Sequence, residues 1–138
     1  TGAGYRAALL GKLAAHVRTI EQDPATAQEA RQLIAAMGAD NVEVTEGDGG
    51  RGWAEGAPYD AILVGCASPD VPHELIDQLS QGGRLVIPVG DASGQLVVRL
   101  RRQAVAVESA TLAPCSVRPL AFCGERRPSV PWLQLPTG

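Results

Sequence analysis

Three short stretches of this sequence combine residue types that suit a small polar ligand. Gly2-Ala3-Gly4 stands directly before an Ala- and Leu-rich run. Glycines at such a place let the backbone come close to a bound group, and a helix that starts there offers free N–H donors. Gly2, Gly4 and Ala7 also satisfy the loose G-x-G-x-x-G/A spacing of dinucleotide loops. Glu21 follows about 20 residues on, where an acid in such folds accepts hydrogen bonds from the hydroxyls of a ribose. Asp48 lies between Gly47 and Gly49. Its carboxylate could take the exocyclic amine of an adenine while the N–H of Gly49 meets a ring nitrogen. Singly, each stretch also has an ordinary reading: a structural turn, a solvated acid ahead of a helix, an Asp-Gly turn.

The elements that must position these residues alternate between helix and strand patterns, which predicts an α/β fold with a mostly parallel sheet. Residues 5–15 read as a helix, with Ala8, Leu9 and Leu13 at helical spacing, and residues 16–21 as a short strand. Asp23-Pro24 opens a second helix, which carries Ala27, Ala30, Leu33, Ile34 and Met37 on one face and stops at Gly38. Residues 42–46 alternate as a strand. Residues 59–66 are a near-continuous apolar run, expected for a central strand buried on both faces. A short helix over 72–79, a turn at Gly82-Gly83 and a strand over 84–89 come next. Residues 95–100 and 104–112, with no helix between them, read as an antiparallel pair. The Gly loop, Glu21 and Asp48 thus fall at the start of a helix and at two successive strand ends. That combination fits S-adenosylmethionine better than a dinucleotide, because no partner for a pyrophosphate is needed.

Other candidates carry less. His16 and His73 have no second His or Cys at ligand spacing, so no metal site is expected. His16 reads as a strand start and His73 as a helix-surface residue. Cys66 reads as a small core residue, and Cys115 and Cys123 as free thiols. Ser68 and Ser116 lack a positioned base, which argues against hydrolase chemistry. Three cysteines at irregular spacing make no disulfide framework. A net charge of −3 with no basic run gives no reason to expect a nucleic-acid partner, and no apolar stretch reaches the roughly 20 residues of a bilayer span. A cytoplasmic protein of one domain, residues 1–123, with an irregular Pro-rich tail over 124–138, is the expectation.

With those residues in view, the sequence resembles the protein-L-isoaspartate O-methyltransferase family. Thr1-Gly2-Ala3-Gly4-Tyr5 and the following Ala7-Ala8-Leu9-Leu10 resemble the end of its first cofactor motif. Gly47-Asp48-Gly49 and Ala57-Pro58-Tyr59-Asp60-Ala61-Ile62 resemble its second region. The most specific stretch runs from Val71-Pro72 through Gln78-Leu79 to Gly82-Gly83-Arg84-Leu85-Val86-Ile87-Pro88-Val89-Gly90, and residues 114–120 resemble its closing strand. The resemblance implies a Rossmann-like class I methyltransferase sheet. It also implies an S-adenosylmethionine site at Thr1, Gly2, Ala3, Gly4, Glu21, Asp48 and Gly49. The implied reaction is methyl transfer to the α-carboxylate of L-isoaspartyl or D-aspartyl residues in damaged proteins, which are then the partners. No metal, membrane or nucleic acid enters it.

The resemblance also implies absences. The family's substrate-binding segment, with its hydroxyl-bearing active-site residue, lies upstream of the first cofactor motif, as does a strand that sits between those at 16–21 and 59–66. The sheet is therefore expected to be incomplete on its N-terminal side, the catalytic residues to lie before Thr1, and these 138 residues alone to be inactive. Each unmet buried backbone group at such a gap costs roughly 1–3 kcal/mol. Near residue 121 the family often carries a hydroxyl, where this sequence has Ala121. Two other readings remain: a non-catalytic relative that keeps the cofactor core, and a nicotinamide-dependent oxidoreductase resting only on the glycine spacing and Glu21.

Overall fold

A computed structural model describes residues 1–120; the expectations for Ala121, Cys123 and the Pro-rich tail lie outside the described residues. The chain divides into two compact units, Thr1–Gly49 and Gly50–Gly138.

In the first unit the order is α1 (Tyr5–Gly11), β1 (Val17–Glu21), α2 (Pro24–Ala36) and β2 (Val42–Glu46). The strands are parallel, from Val17 opposite Val42 to Glu21 opposite Glu46. Asp23 caps α2 as its sequence suggests: its Oδ2 accepts from the Thr26 N–H at 2.7 Å, and Pro24 takes the first turn. Ala27, Ala30 and Ile34 are the buried face of α2, and Gly38 follows at φ 64°. The core here is made mainly of small side chains, Ala7 and Ala8 of α1 with Ala30 of α2, beside the larger Ile34. Alanine on alanine brings the two helices close, and Gly4 is the consequence. A Cβ on Gly4 would stand 3.0 Å from both the Cα and the carbonyl oxygen of Ala30, at a backbone φ of 93°.

The first helix is shorter than its composition predicts, ending at Gly11 rather than near residue 15. The Asn41 side chain explains the stop. Its Nδ2 donates to the carbonyls of Gly11 (2.7 Å), Ala14 (2.8 Å) and Ala15 (3.2 Å), which draws the chain into a turn before β1.

The second unit holds β3 (Tyr59–Leu63), α3 (His73–Asp77), β4 (Leu79–Asp91), β5 (Gly94–Arg102) and β6 (Val107–Cys115). They form a four-stranded sheet in that strand order, β3–β4 parallel and the other pairs antiparallel. The antiparallel pair expected from the sequence is therefore present, and it continues from β4. Val71, Leu75, Ile76 and Leu79 pack on Leu85, Ile87, Val89, Val98 and Leu100, which all point to one face of the sheet. The buried Gln78 clamps a loop: its Nε2 donates to the Arg51 carbonyl at 2.7 Å and its Oε1 accepts from the Trp53 N–H at 2.8 Å. Gly52, at φ 64°, passes so close that any Cβ there would collide with the Gln78 amide.

Several boundaries differ from expectation. The strand at 59–66 stops at Leu63 and is not buried on both faces: Asp60, Ala61 and Leu63 are exposed, and among the described residues β4 is its single strand neighbour. Cys66 is half-buried rather than a core residue. The turn expected at Gly82-Gly83 lies inside β4, where Gly83 fits because a Cβ would stand 2.8–2.9 Å from the carbonyl oxygens of Ser80 and Tyr59. The last strand starts at Val107, not near 104. Beyond β6, the Gln95 amide holds Val117 through two bonds, of 3.1 and 2.8 Å, and Pro119 bridges Ala67.

The two loop glycines make different demands, which a pair of substitutions separates. Gly4→Ala meets both a left-handed φ and the α2 backbone and should cost about 2–4 kcal/mol. Gly2→Ala, at φ 56° with nothing within 4 Å of its Cβ, should cost about 1 kcal/mol. Urea unfolding of both variants checks the order; equal losses would mean that the close approach to Ala30 is not felt.

Candidate cofactor site at the ends of β1 and β2

The site is built outward from Glu21, the last residue of β1. Its Oε2 accepts from the Gly2 N–H at 2.9 Å; its Oε1 accepts from the N–H groups of Gln22 (2.9 Å) and Asp23 (3.2 Å). The Thr1 nitrogen stands 3.3 Å from Oε2. Partial burial pushes the Glu21 pKa up, but contacts led by the N–H groups of Asp23 and Gly2 outweigh it, so the net shift is down from 4.5. A carboxylate offers about four lone-pair directions, and three are taken by backbone N–H groups.

Thr1 does not point its hydroxyl outward. Its Oγ1 donates to the Ile20 carbonyl at 2.6 Å and lies 2.5 Å from the Thr19 Oγ1, so the side chain stitches the loop to β1. Gly2 and Ala3 are exposed at the loop crest, whereas Gly4 is buried against α2. The residues the sequence singled out at this loop therefore split in two: Thr1 and Gly4 hold its shape, while Gly2 and Ala3 face out.

Register brings the second acid to the same end of the sheet. Glu21 is opposite Glu46, and the Gly47 N–H donates to the Glu21 carbonyl at 2.9 Å. Asp48 is the next residue, half-buried in the bend that leaves β2, and Gly49 opens a short 3-10 turn, Gly49–Arg51, with open space beside it. All seven expected cofactor residues thus lie within the first unit, at the C-terminal ends of its parallel strands or on the loop tied to them. Ligands of open α/β sheets bind at such ends. Sequence reading missed Thr19 and the N–H groups of Gln22 and Asp23. The signal for the last two was the Asp-Pro cap, since the turn before a capped helix aims its N–H groups back at the preceding strand end.

The arrangement can hold a nucleoside: backbone N–H groups at the loop, an ionised acid for a diol, and an acid with a neighbouring N–H for a base edge. It holds no acid–base or nucleophilic constellation. Ser68 is buried with its Oγ donating to the Asp70 carbonyl at 2.5 Å, and Ser116 is exposed. His16 is exposed just before β1, and His73 starts α3 with its Nδ1 3.4 Å from Asp77 Oδ2. Among the described residues no three His, Cys, Asp or Glu side chains group to hold a metal, and no helix is long and apolar enough to cross a membrane. A surface cavity of about 190 Å³, lined by residues including His16, Arg18, Asp40 and Asn41, opens at the opposite, N-terminal ends of β1 and β2.

Residues 1–121 match the model of the protein-L-isoaspartate(D-aspartate) O-methyltransferase family. The chain is 52% identical over 105 residues to protein-L-isoaspartate O-methyltransferase 1 of Rhodopseudomonas palustris, which covers 75% of this chain and 43% of the relative. It is 54% identical over 101 residues to the protein-L-isoaspartate O-methyltransferase of Methanoregula boonei, covering 73% and 46%. Among solved structures, a protein-L-isoaspartate O-methyltransferase superposes with a TM-score of 0.82 at 25% identity, covering 88% of this chain and 40% of that one. A putative Plasmodium falciparum enzyme in complex with S-adenosyl-L-homocysteine shares the fold, with a TM-score of 0.66 at 19% identity over 77% of this chain and 52% of that one. The chain spans about half the length of the curated relatives it matches. With a class I methyltransferase fold and a family match over nearly its whole length, the chain belongs to the protein-L-isoaspartate(D-aspartate) O-methyltransferase family.

Proposed function

We propose that this chain is the cofactor-binding part of a protein-L-isoaspartate O-methyltransferase. Such an enzyme transfers a methyl group from S-adenosylmethionine to the α-carboxylate of isoaspartyl or D-aspartyl residues in damaged proteins. The observation that carries the reading is the Glu21-centred strand end, where the Gly loop, an ionised acid and Asp48-Gly49 converge. Family membership supports the substrate class, isoaspartyl-containing polypeptides in the cytoplasm.

The residues present fit the cofactor. The Gly2 crest leaves room, since a Cβ there would meet nothing within 4 Å, and the depressed pKa keeps Glu21 ionised as a ribose acceptor. Thr1, Gly2, Ala3 and Gly4 form the loop beneath the methionine end, Glu21 holds the ribose, and Asp48 with the Gly49 N–H holds the adenine. When bound, the cofactor supplies an electrophilic sulfonium methyl. The rest of the work is positioning: the carboxylate of the damaged residue must come into line with that methyl while water is excluded. No residue of the strand-end site suits this second task, which we assign to the part of family-length polypeptides that this chain does not span. The 138 residues alone are accordingly inactive. The test is methyl incorporation from labelled S-adenosylmethionine into an isoaspartyl peptide and into its aspartyl counterpart. The family-length polypeptide carrying these residues should label only the former, and the 138-residue chain neither. Isoaspartyl methylation by the short chain would refute its inactivity, and labelling of neither peptide by the long one would refute the function.

Glu21→Gln should weaken S-adenosylhomocysteine binding about 10- to 100-fold, because an amide NH₂ would face N–H donors and lose charge-assisted acceptance. The folded pKa of Glu21 lies below its unfolded value. Its contribution to loop and cofactor binding is therefore fully present above the ordinary 4.5 and lost as the pH falls through the folded value. Calorimetric titration between pH 7 and pH 3 should show that acid limb in the parent and not in Glu21→Gln. An unchanged affinity in the variant would remove Glu21 from the site.

A further inference from the structure

Asp48 and Gly49, read above as the hold on the adenine, also form the one Asp-Gly pair in the sequence. An aspartyl residue followed by glycine is set up for an internal reaction. The backbone nitrogen of the glycine attacks the aspartyl Cγ, and with no Cβ beside it little hinders the approach. An N–C bond forms and the Cγ–O bond breaks, the oxygen leaving as water with the nitrogen's proton and the carboxyl proton. Water then opens the cyclic imide at either carbonyl. Opening at the side-chain carbonyl returns aspartate. Opening at the backbone carbonyl leaves the chain running through Cβ and Cγ, an isoaspartyl residue with a free α-carboxylate.

The structure favours this pair over the alternatives. Asp48 lies outside helix and strand, between β2 and the Gly49–Arg51 turn, and Gly47, Gly49, Gly50 and Gly52 give the stretch backbone freedom. Among the described residues none accepts a hydrogen bond from the Gly49 N–H. A Cβ on Gly49 would meet nothing within 4 Å, so the nitrogen has space to turn toward the carboxyl group. The other aspartates are worse placed. Asp23 precedes Pro24, which has no N–H, and Asp70 precedes the β-branched Val71. Asp60 and Asp91 lie in strands and accept from Ser80 and Ser93, Asp77 ends α3, and Asp40 is followed by the bulkier Asn41. Asn41 itself, which could reach the same imide by losing ammonia, precedes Val42 and has its amide bound to three carbonyls.

Conversion undoes the site. The imide nitrogen has no proton to give to a ring nitrogen. The isoaspartyl form lengthens the backbone by a carbon and shortens the side chain by one, so the carboxylate and the Gly49 N–H no longer share an edge. A bound adenine that holds both groups keeps the nitrogen away from Cγ. We propose that Asp48 is a site of spontaneous isomerisation to isoaspartate, which abolishes cofactor binding, and that bound cofactor shields it. The shielding rests on the adenine contact assigned to Asp48 and Gly49. The cofactor site thus carries, in its own backbone, the lesion on which the proposed reaction acts.

Warm incubation of the family-length polypeptide carrying these residues, with and without S-adenosylhomocysteine, tests this. The probe has no methyl group to transfer and so cannot drive repair. Electron-transfer mass spectrometry of digests reads isoaspartate at each aspartate, and calorimetry reads the remaining binding sites. Isoaspartate should accumulate at Asp48 ahead of the other six aspartates, with binding sites lost in proportion. Ligand at about 100 times its Kd should slow conversion roughly 100-fold, in step with the fall in unliganded protein. Gly49→Ala, which the backbone and the open space both permit, should slow it about tenfold without ligand by crowding the nitrogen. No preference for Asp48 overturns the proposal and leaves the cofactor reading standing. Full binding by converted chains, or equal rates with ligand bound, overturns it by taking Asp48 out of the adenine contact. A polypeptide that binds no S-adenosylhomocysteine from the outset refutes the cofactor reading itself, and the shielding with it.

Discussion

The Glu21 carboxylate is what the candidate site hangs on. A loop of three small residues has no side chains with which to hold itself, so its shape must come from its surroundings. Here the Gly2 N–H is tied to Glu21 Oε2 at 2.9 Å and the Thr1 hydroxyl to the Ile20 carbonyl at 2.6 Å, while Gly4 is pressed onto Ala30 of α2. The same carboxylate gathers the N–H groups of Gln22 and Asp23, where the chain leaves β1 for α2. Ionisation of one side chain thus fixes the loop, the strand end and the approach to the second helix. This is preorganisation: donors and acceptor are in place before a ligand arrives, so less ordering entropy opposes binding.

The second unit shows a different economy. Its core is one-sided, with α3 and the segment before it covering Leu85, Ile87, Val98 and Leu100. Polar clamps do what further apolar layers would otherwise do. Gln78 holds the Arg51–Trp53 loop, Arg102 caps the end of α3 and the start of β4, and Gln95 straps Val117. Each joins a side-chain amide or guanidinium to backbone groups that would otherwise lack partners, which is how irregular segments are made rigid without a larger core.

The sequence was most legible where local chemistry decides the outcome. Asp23-Pro24 announced the start of α2, Gly38 its end, and the alternation over 42–46 became β2 with those bounds. The residues proposed for the cofactor were picked out by type and strand-end spacing, which match what a nucleoside offers, and the fold gathers them at one end of the β1–β2 pair. What failed was decided by tertiary contact. Nothing in residues 5–15 shows that Asn41 will collect the carbonyls of Gly11, Ala14 and Ala15 and stop the helix early. Gly82-Gly83 has turn composition, yet it lies inside β4, where Tyr59 and Ser80 leave no room for a Cβ at Gly83. The apolar run at 59–66 predicted burial on both faces, and one face is instead shared with arginines that lie far along the chain on β4 and β5. Nor does the residue type show that the Thr1 hydroxyl turns inward to β1.

The most direct test of the account is a crystal structure of the family-length polypeptide with S-adenosylhomocysteine bound. The account predicts the ribose hydroxyls on Glu21, the adenine edge on Asp48 and the Gly49 N–H, and the homocysteine end over Gly2 and Ala3. A ligand bound instead in the cavity by His16 and Asp40, at the opposite strand ends, would contradict it.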